Sequence, residues 1–170
     1  MKKRAFLLSL LMSFSFGIAA IANETSDLIS GKNIIREVDN SDNKATDIQL
    51  VFLVKASQEK VWDVLADYSK YPEFMPIKEA KVKSKNGNTE IVFVRPEAPA
   101  MVDVSYDLKR VFQKDKWLIK FEKAGGKIKS ISGYWKLEPF NTTNYTKVIY
   151  VNNVDIGMPV PGFVKDYFTK

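Results

Sequence analysis

Two hydrophobic periods alternate along the chain, and their order predicts a fold. Ile48 to Val54 is an almost unbroken run of β-forming apolar residues with Gln49 its only polar member, which predicts a well-buried strand. The period then lengthens. Ser57 has the chemistry of a helix N-cap, Glu59 falls in the first turn, and Val61, Val64, Leu65 and Tyr68 recur at helical spacing with Trp62 beside them. An amphipathic helix is therefore predicted from about Gln58 to Asp67. Pro72 opens a second short helical turn through Glu73, Phe74 and Met75. Pro76 ends that turn, because the residue before a proline is pushed out of the helical region.

Beyond Pro76 the period drops to two. Val102, Val104, Tyr106 and Leu108 alternate with Asp103, Ser105, Asp107 and Lys109, which gives one buried and one wet face. The alternation returns in Trp117, Ile119 and Phe121, in Ile131, Gly133, Trp135 and Leu137, and in Val148, Tyr150 and Val154. Turn chemistry at Asn86-Gly87, Pro96 to Pro99, Gln113 to Lys116, Gly125-Gly126 and Asn141 to Asn144 cuts these runs into strands. Connections this short make them antiparallel neighbours. The prediction is an α+β fold, a curved antiparallel sheet of six or seven strands with a short N-terminal helix pair. Phe163, Val164, Tyr167 and Phe168 share one helical face and predict a closing helix. It is roughly 14 Å long, about half of what would cross such a sheet.

The first 22 residues form a separate unit. Lys2, Lys3 and Arg4 make a basic start, Ala5 to Ile18 is apolar with serines and Gly17 interrupting it, and Ala20-Ile21-Ala22 has the small-x-small pattern of a cleavage site. This predicts a secretory signal peptide over residues 1–22 and a periplasmic or secreted domain. An uncleaved anchor is the competing reading, since Ala5 to Ala22 reaches the lower edge of spanning length. Residues 23–45 read as a polar arm with one short strand near Ile34 to Val38, and residues 46–170 as one folded domain.

Composition narrows the chemistry. The chain of 170 residues has no Cys and no His, which removes thiol nucleophiles, imidazole bases, disulfides and Cys/His metal sites. No catalytic set, metal site or cofactor is predicted. The formal net charge of +6 falls to +3 without residues 1–22, and the lysines are dispersed, which argues against a nucleic-acid module. Lys78, Lys81, Lys83 and Lys85 read as solvated gatekeeper charges or, alternatively, as peripheral contact with an anionic membrane.

The order of strand, helix pair, antiparallel meander and closing helix resembles the helix-grip fold of the START-like, or polyketide cyclase (SRPBCC), superfamily. Ala56 to Pro76, with its Val61-Trp62 pair and the Asp67-Tyr68 step into a proline-ended turn, is similar to the opening signature of the coenzyme-Q-binding branch. Gly133-Tyr134-Trp135-Lys136-Leu137 resembles a later strand of that family, and Val160-Pro161-Gly162-Phe163 the lead-in to its closing helix. The resemblance implies a hydrophobic pocket between the sheet and the closing helix, holding a lipid, an isoprenoid quinone or a similar apolar molecule.

Candidate ligand-binding residues are Phe74, Met75, Phe93, Met101, Tyr106, Phe121, Trp135, Tyr150, Asn152, Phe163 and Tyr167, with Val104 in the same set. Tyr hydroxyls would orient the ligand. Asn152 and Arg95 carry the inward parity of their strands, and a buried polar group must be satisfied by protein or by ligand. For Arg95, a solvated strand end is the alternative. Two other functions stand beside binding. One is an aromatase/cyclase-like enzyme using carboxylates, Tyr or Lys. The other is an interaction module, for instance a homodimer, that uses the apolar face left by a short closing helix.

Overall fold

The computed structural model describes residues 23–39, 46–97, 104–140 and 142–155. The predicted signal peptide, Met101, Phe163, Tyr167 and the predicted closing helix lie outside them. The described residues form one antiparallel sheet of eight strands: β1 (Ile34–Asp39), β2 (Thr46–Val54), β3 (Ile77–Asn86), β4 (Thr89–Pro96), β5 (Tyr106–Gln113), β6 (Leu118–Gly126), β7 (Ser130–Phe140) and β8 (Thr142–Asp155). Their order is β1-β2-β8-β7-β6-β5-β4-β3. The sheet exceeds the expected six or seven strands because β1 pairs with β2 along its whole length and so becomes an edge strand.

Helix α1 covers residues 23–29, where the sequence predicted only a polar arm. It lies on the outer face of the sheet. Glu24 accepts from Lys147 Nζ at 3.0 Å and pairs with Arg36 at 2.6 Å, and Leu28 is buried outside the main core. Val51, on the same outer face, is buried as well. This cover explains why β2 reads as a near-continuous apolar run: its other parity faces the main core, so both sides lose water.

On the opposite face sit α2 (Gln58–Ala66) and the 3₁₀ turn η1 (Tyr68–Glu73). Ser57 caps α2 by accepting from the Lys60 N–H. Val61, Trp62 and Leu65 form its buried stripe, while Val64, predicted to share it, is exposed. Trp62 takes that place because it reaches Phe112 and Trp117 edge-on, at centroid distances of 6.2 and 6.0 Å. The second turn starts earlier than Pro72. Asp67 caps it by accepting from Ser69, and Pro72 falls inside.

Gly125 and Gly126 finish β6 where the sequence predicted a turn. Gly126 has φ +92°, and a Cβ there would collide with the Tyr106 backbone, so only glycine allows this approach to β5.

The Glu24 cluster yields a first prediction. Its hydrogen bond to Lys147, and then Arg36, hold the Glu24 carboxyl below its ordinary pKa against the opposing effect of burial. The stabilisation is therefore present at neutral pH and lost as pH falls through the lowered value, below about 4.5. Glu24→Gln is expected to lower stability at pH 7 by at most about 1 kcal/mol and to flatten the acid limb of the stability curve. Urea unfolding at pH 7 and pH 3.5 checks both.

Candidate functional site

The helix-side face carries the parity Glu90-Val92-Val94 on β4, Tyr106-Leu108-Arg110-Phe112 on β5, Ile119-Phe121 on β6, Ile131-Gly133-Trp135-Leu137 on β7 and Val148-Tyr150-Asn152-Val154 on β8. Helix α2 and η1 cover one end of this face.

Arg110 organises the covered end. It is 1% exposed, and its guanidinium donates from Nη1 to Glu90 at 2.6 Å, Glu90 itself being 3% exposed. It also donates to the backbone oxygens of Leu65 and Ala66 at the C-terminal end of α2, and from Nη2 to the Tyr71 hydroxyl at 3.3 Å. Those carbonyls have no intrahelical partner and carry the negative end of the helix dipole, so a cation there satisfies both needs. The rings of Tyr68, Phe112 and Tyr71 stack against the guanidinium at 4.6, 5.0 and 5.3 Å. Neither Arg110 nor Glu90 is among the residues predicted from the sequence. Extending the alternation Tyr106, Leu108 by one step places Arg110 inward, so the signal was present.

Beside this cluster lies an aromatic floor. Trp135 and Tyr150 are register partners on β7 and β8 and stack at 4.1 Å and 28°, and Tyr150 is near-parallel to Phe121 at 6.1 Å and 29°. Tyr71 stands edge-on to Trp135 at 6.4 Å. Gly133 allows the arrangement. A Cβ there would meet the Phe121 ring at 2.6 Å and collide with the Val151 carbonyl, so the ring lies where a side chain would stand.

The candidates fall into four groups. Phe121, Trp135, Tyr150, Asn152 and Tyr106 share the helix-side face, with Met75 packed against the same core. Phe74 is 46% exposed and touches the set through Tyr71, at 5.0 Å. Phe93 belongs to the other face. It pairs with Asp107 and lies under the Arg95 guanidinium at 5.6 Å, while Arg95 reaches Glu79 at 3.1 Å near solvent. Period-two reading found the alternation in β4 but assigned it the wrong face, since Ile91 and Phe93 are as apolar as Val92 and Val94. Met101, Phe163 and Tyr167 lie outside the described residues.

Four tyrosines converge here. Burial pushes Tyr68 well above its ordinary pKa, with Tyr106 and Tyr71 adding and Arg110 opposing. Burial raises Tyr71 and Tyr106 to about 12, and raises Tyr150 further, with Tyr106 and Tyr71 contributing. All four hydroxyls are therefore neutral at physiological pH and can donate as well as accept. Asn152 adds an amide whose Oδ1 is enclosed. Asp107 and Glu122 lie on the outer face, paired with Lys83 at 2.8 Å and Lys109 at 3.0 Å. Among the described residues no group of three or more His, Cys, Asp or Glu side chains could hold a metal ion. A separate open crevice lies between α2 and β3, lined by Asp63, Asp67, Val82 and Lys85, with Glu90 at its base.

The family described as polyketide cyclase / dehydrase and lipid transport matches residues 54–168. The Zhui aromatase/cyclase from Streptomyces sp. R1128 is 14% identical with a TM-score of 0.59, over 74% of this chain and 82% of that one. A STAR-related lipid transfer protein from Xanthomonas axonopodis is 14% identical with a TM-score of 0.59, over 79% and 89%. TTHA0849 from Thermus thermophilus is 14% identical with a TM-score of 0.62, over 72% and 83%. At this identity the likenesses show the fold. None of the curated proteins matches the chain.

The geometry makes two outcomes measurable. Arg110→Met leaves Glu90 buried without a counter-charge and is expected to cost about 3 to 5 kcal/mol, whereas Arg110→Met with Glu90→Met recovers most of that loss. Chemical unfolding midpoints of the two variants compare them directly. The tyrosines set an alkaline limit. The unfolded chain ionises them near 10 while the fold holds Tyr71 and Tyr106 protonated to about 12, so stability falls as pH rises from 10 towards 12. Absorbance at 295 nm is expected to show these tyrosinates appearing only together with unfolding.

Proposed function

We propose, for a chain that belongs to the polyketide cyclase / dehydrase and lipid transport family, that it binds and carries a hydrophobic small molecule without transforming it. The observation that carries this reading is the stack of Phe121, Trp135 and Tyr150, apolar and largely buried on the helix-side face, with neutral tyrosine hydroxyls around it. Such a surface takes up rings and hydrocarbon by burying apolar area, and its few polar groups orient the guest. A lipid or an isoprenoid quinone suits it, in keeping with the likeness of Ala56 to Pro76 to the coenzyme-Q-binding branch. We place the carrier outside the cytoplasm on the sequence of residues 1–22, where a bilayer is the nearest source of such cargo.

The test is native mass spectrometry of the protein purified from its source without detergent. A bound mass on the order of a few hundred daltons, lost on extraction with organic solvent, is the expected result. A bare monomer across the whole concentration range overturns the proposal. A bare dimer would instead support an interaction module that covers its apolar face with a second copy.

A further inference from the structure

The Asn152 side chain, near the C-terminal end of β8, carries a carbonyl oxygen that is enclosed and, among the described residues, accepts no hydrogen bond. Its cross-strand neighbours explain the isolation. Asn152 lies between Gly133 on β7, which has no side chain to offer, and Ile48 on β2, which has no donor. Along its own strand and on the same face stand Tyr150 and Val154. The Tyr150 ring is held in the stack with Trp135 and Phe121. The other enclosed and unpartnered oxygen, Asp107 Oδ1, belongs to a carboxylate on the outer face whose second oxygen takes the Lys83 ammonium at 2.8 Å. Asn152 has no such compensation. An acceptor stripped of water and left unmatched is a standing cost to the folded protein, and leucine would fill the same space without it.

We infer, on the basis of the proposed carrier function, that the cargo bears a hydrogen-bond donor, a hydroxyl or N–H on a flat apolar ring system, and that Asn152 Oδ1 is the acceptor that reads it. The guest ring packs against the edges of the stacked rings, and the Asn152 amide oxygen, in the cross-strand row of Gly133 and Phe121, receives the donor. The chemistry then discriminates within the class of guests. A plain hydrocarbon leaves Oδ1 unpaired. An oxidised quinone presents only acceptors and also leaves it unpaired, whereas a quinol or a hydroxylated polycycle satisfies it. A site built to accept a donor rejects an isosteric analogue lacking it more sharply than an apolar wall rejects an extra methyl group.

The experiment compares 2-naphthol with 2-methoxynaphthalene, which keeps the ring and the oxygen but has no donor, by calorimetric titration of the full chain freed of endogenous lipid. The wild-type protein is expected to prefer 2-naphthol by about tenfold, against the greater hydrophobicity of the ether. In Asn152→Leu the preference is expected to fall to within about twofold, and the melting temperature of the empty protein to rise because the orphaned oxygen is gone. Equal binding of both probes by the wild type, tighter binding of the ether, or a preference that survives in Asn152→Leu overturns the inference. The wild-type comparison requires no variant, so it decides even if Asn152→Leu does not fold. Binding of neither probe overturns the carrier reading itself, an outcome distinct from binding both alike.

Discussion

The buried cation Arg110 sets the relation between helices and sheet. Its guanidinium is cut off from water, so every donor has to find an acceptor inside the protein. The acceptors come from three elements: the Glu90 carboxylate on β4, the Leu65 and Ala66 carbonyls at the end of α2, and the Tyr71 hydroxyl in η1. A displacement of any of these leaves a charge or a carbonyl stranded in a medium of low dielectric. Packing of Trp62, Leu65 and Tyr68 would tolerate some sliding of α2 over the sheet. The directional bonds to Arg110 do not.

The position of the candidate pocket follows from this lock. With α2 and η1 held over one end of the face, the row of Phe112, Ile119, Trp135 and Tyr150 carries the first stacked rings, and the next row carries Arg110, Phe121, Gly133 and Asn152. Tyr71 belongs to both regions. Its hydroxyl donates to the Leu65 carbonyl at 3.0 Å and accepts from Arg110, while its ring stands against Trp135. Burial suppresses ionisation of the tyrosines, so this part of the protein offers neutral donors and acceptors around an apolar floor. That chemistry orients a guest without charging it.

Much of this architecture was legible in the residues. The Ser57 cap, the Asn86-Gly87 hairpin and the alternation through β6, β7 and β8 are local effects, in which backbone sterics and period decide the element. Trp135, Tyr150 and Asn152 were placed on one face because strict alternation in β7 and β8 left no other choice. In β4 both parities are apolar, and the periodicity put Phe93 in the pocket when its neighbours Val92 and Val94 face inward. Helix α1 escaped notice because Leu28 is its only buried apolar residue, and the short helix is held by ion pairs from Glu24 to partners 12 and 123 residues away.

The sequence by itself determined helix α2 and the order of the antiparallel strands that follow it, that no thiol or imidazole chemistry is available, and that aromatic residues concentrate on one face. These depend on each residue's own conformational preferences and on neighbours a few positions away. Only the tertiary structure decided that Arg110 is neutralised by Glu90 and α2, that Phe121 lies over Gly133, and that the Asn152 oxygen is enclosed without a donor. The physical reason is that hydrogen-bond satisfaction is a property of what surrounds an atom. For groups on different strands, register, burial and the exclusion of water set those surroundings, and none of the three is encoded within a local window of sequence.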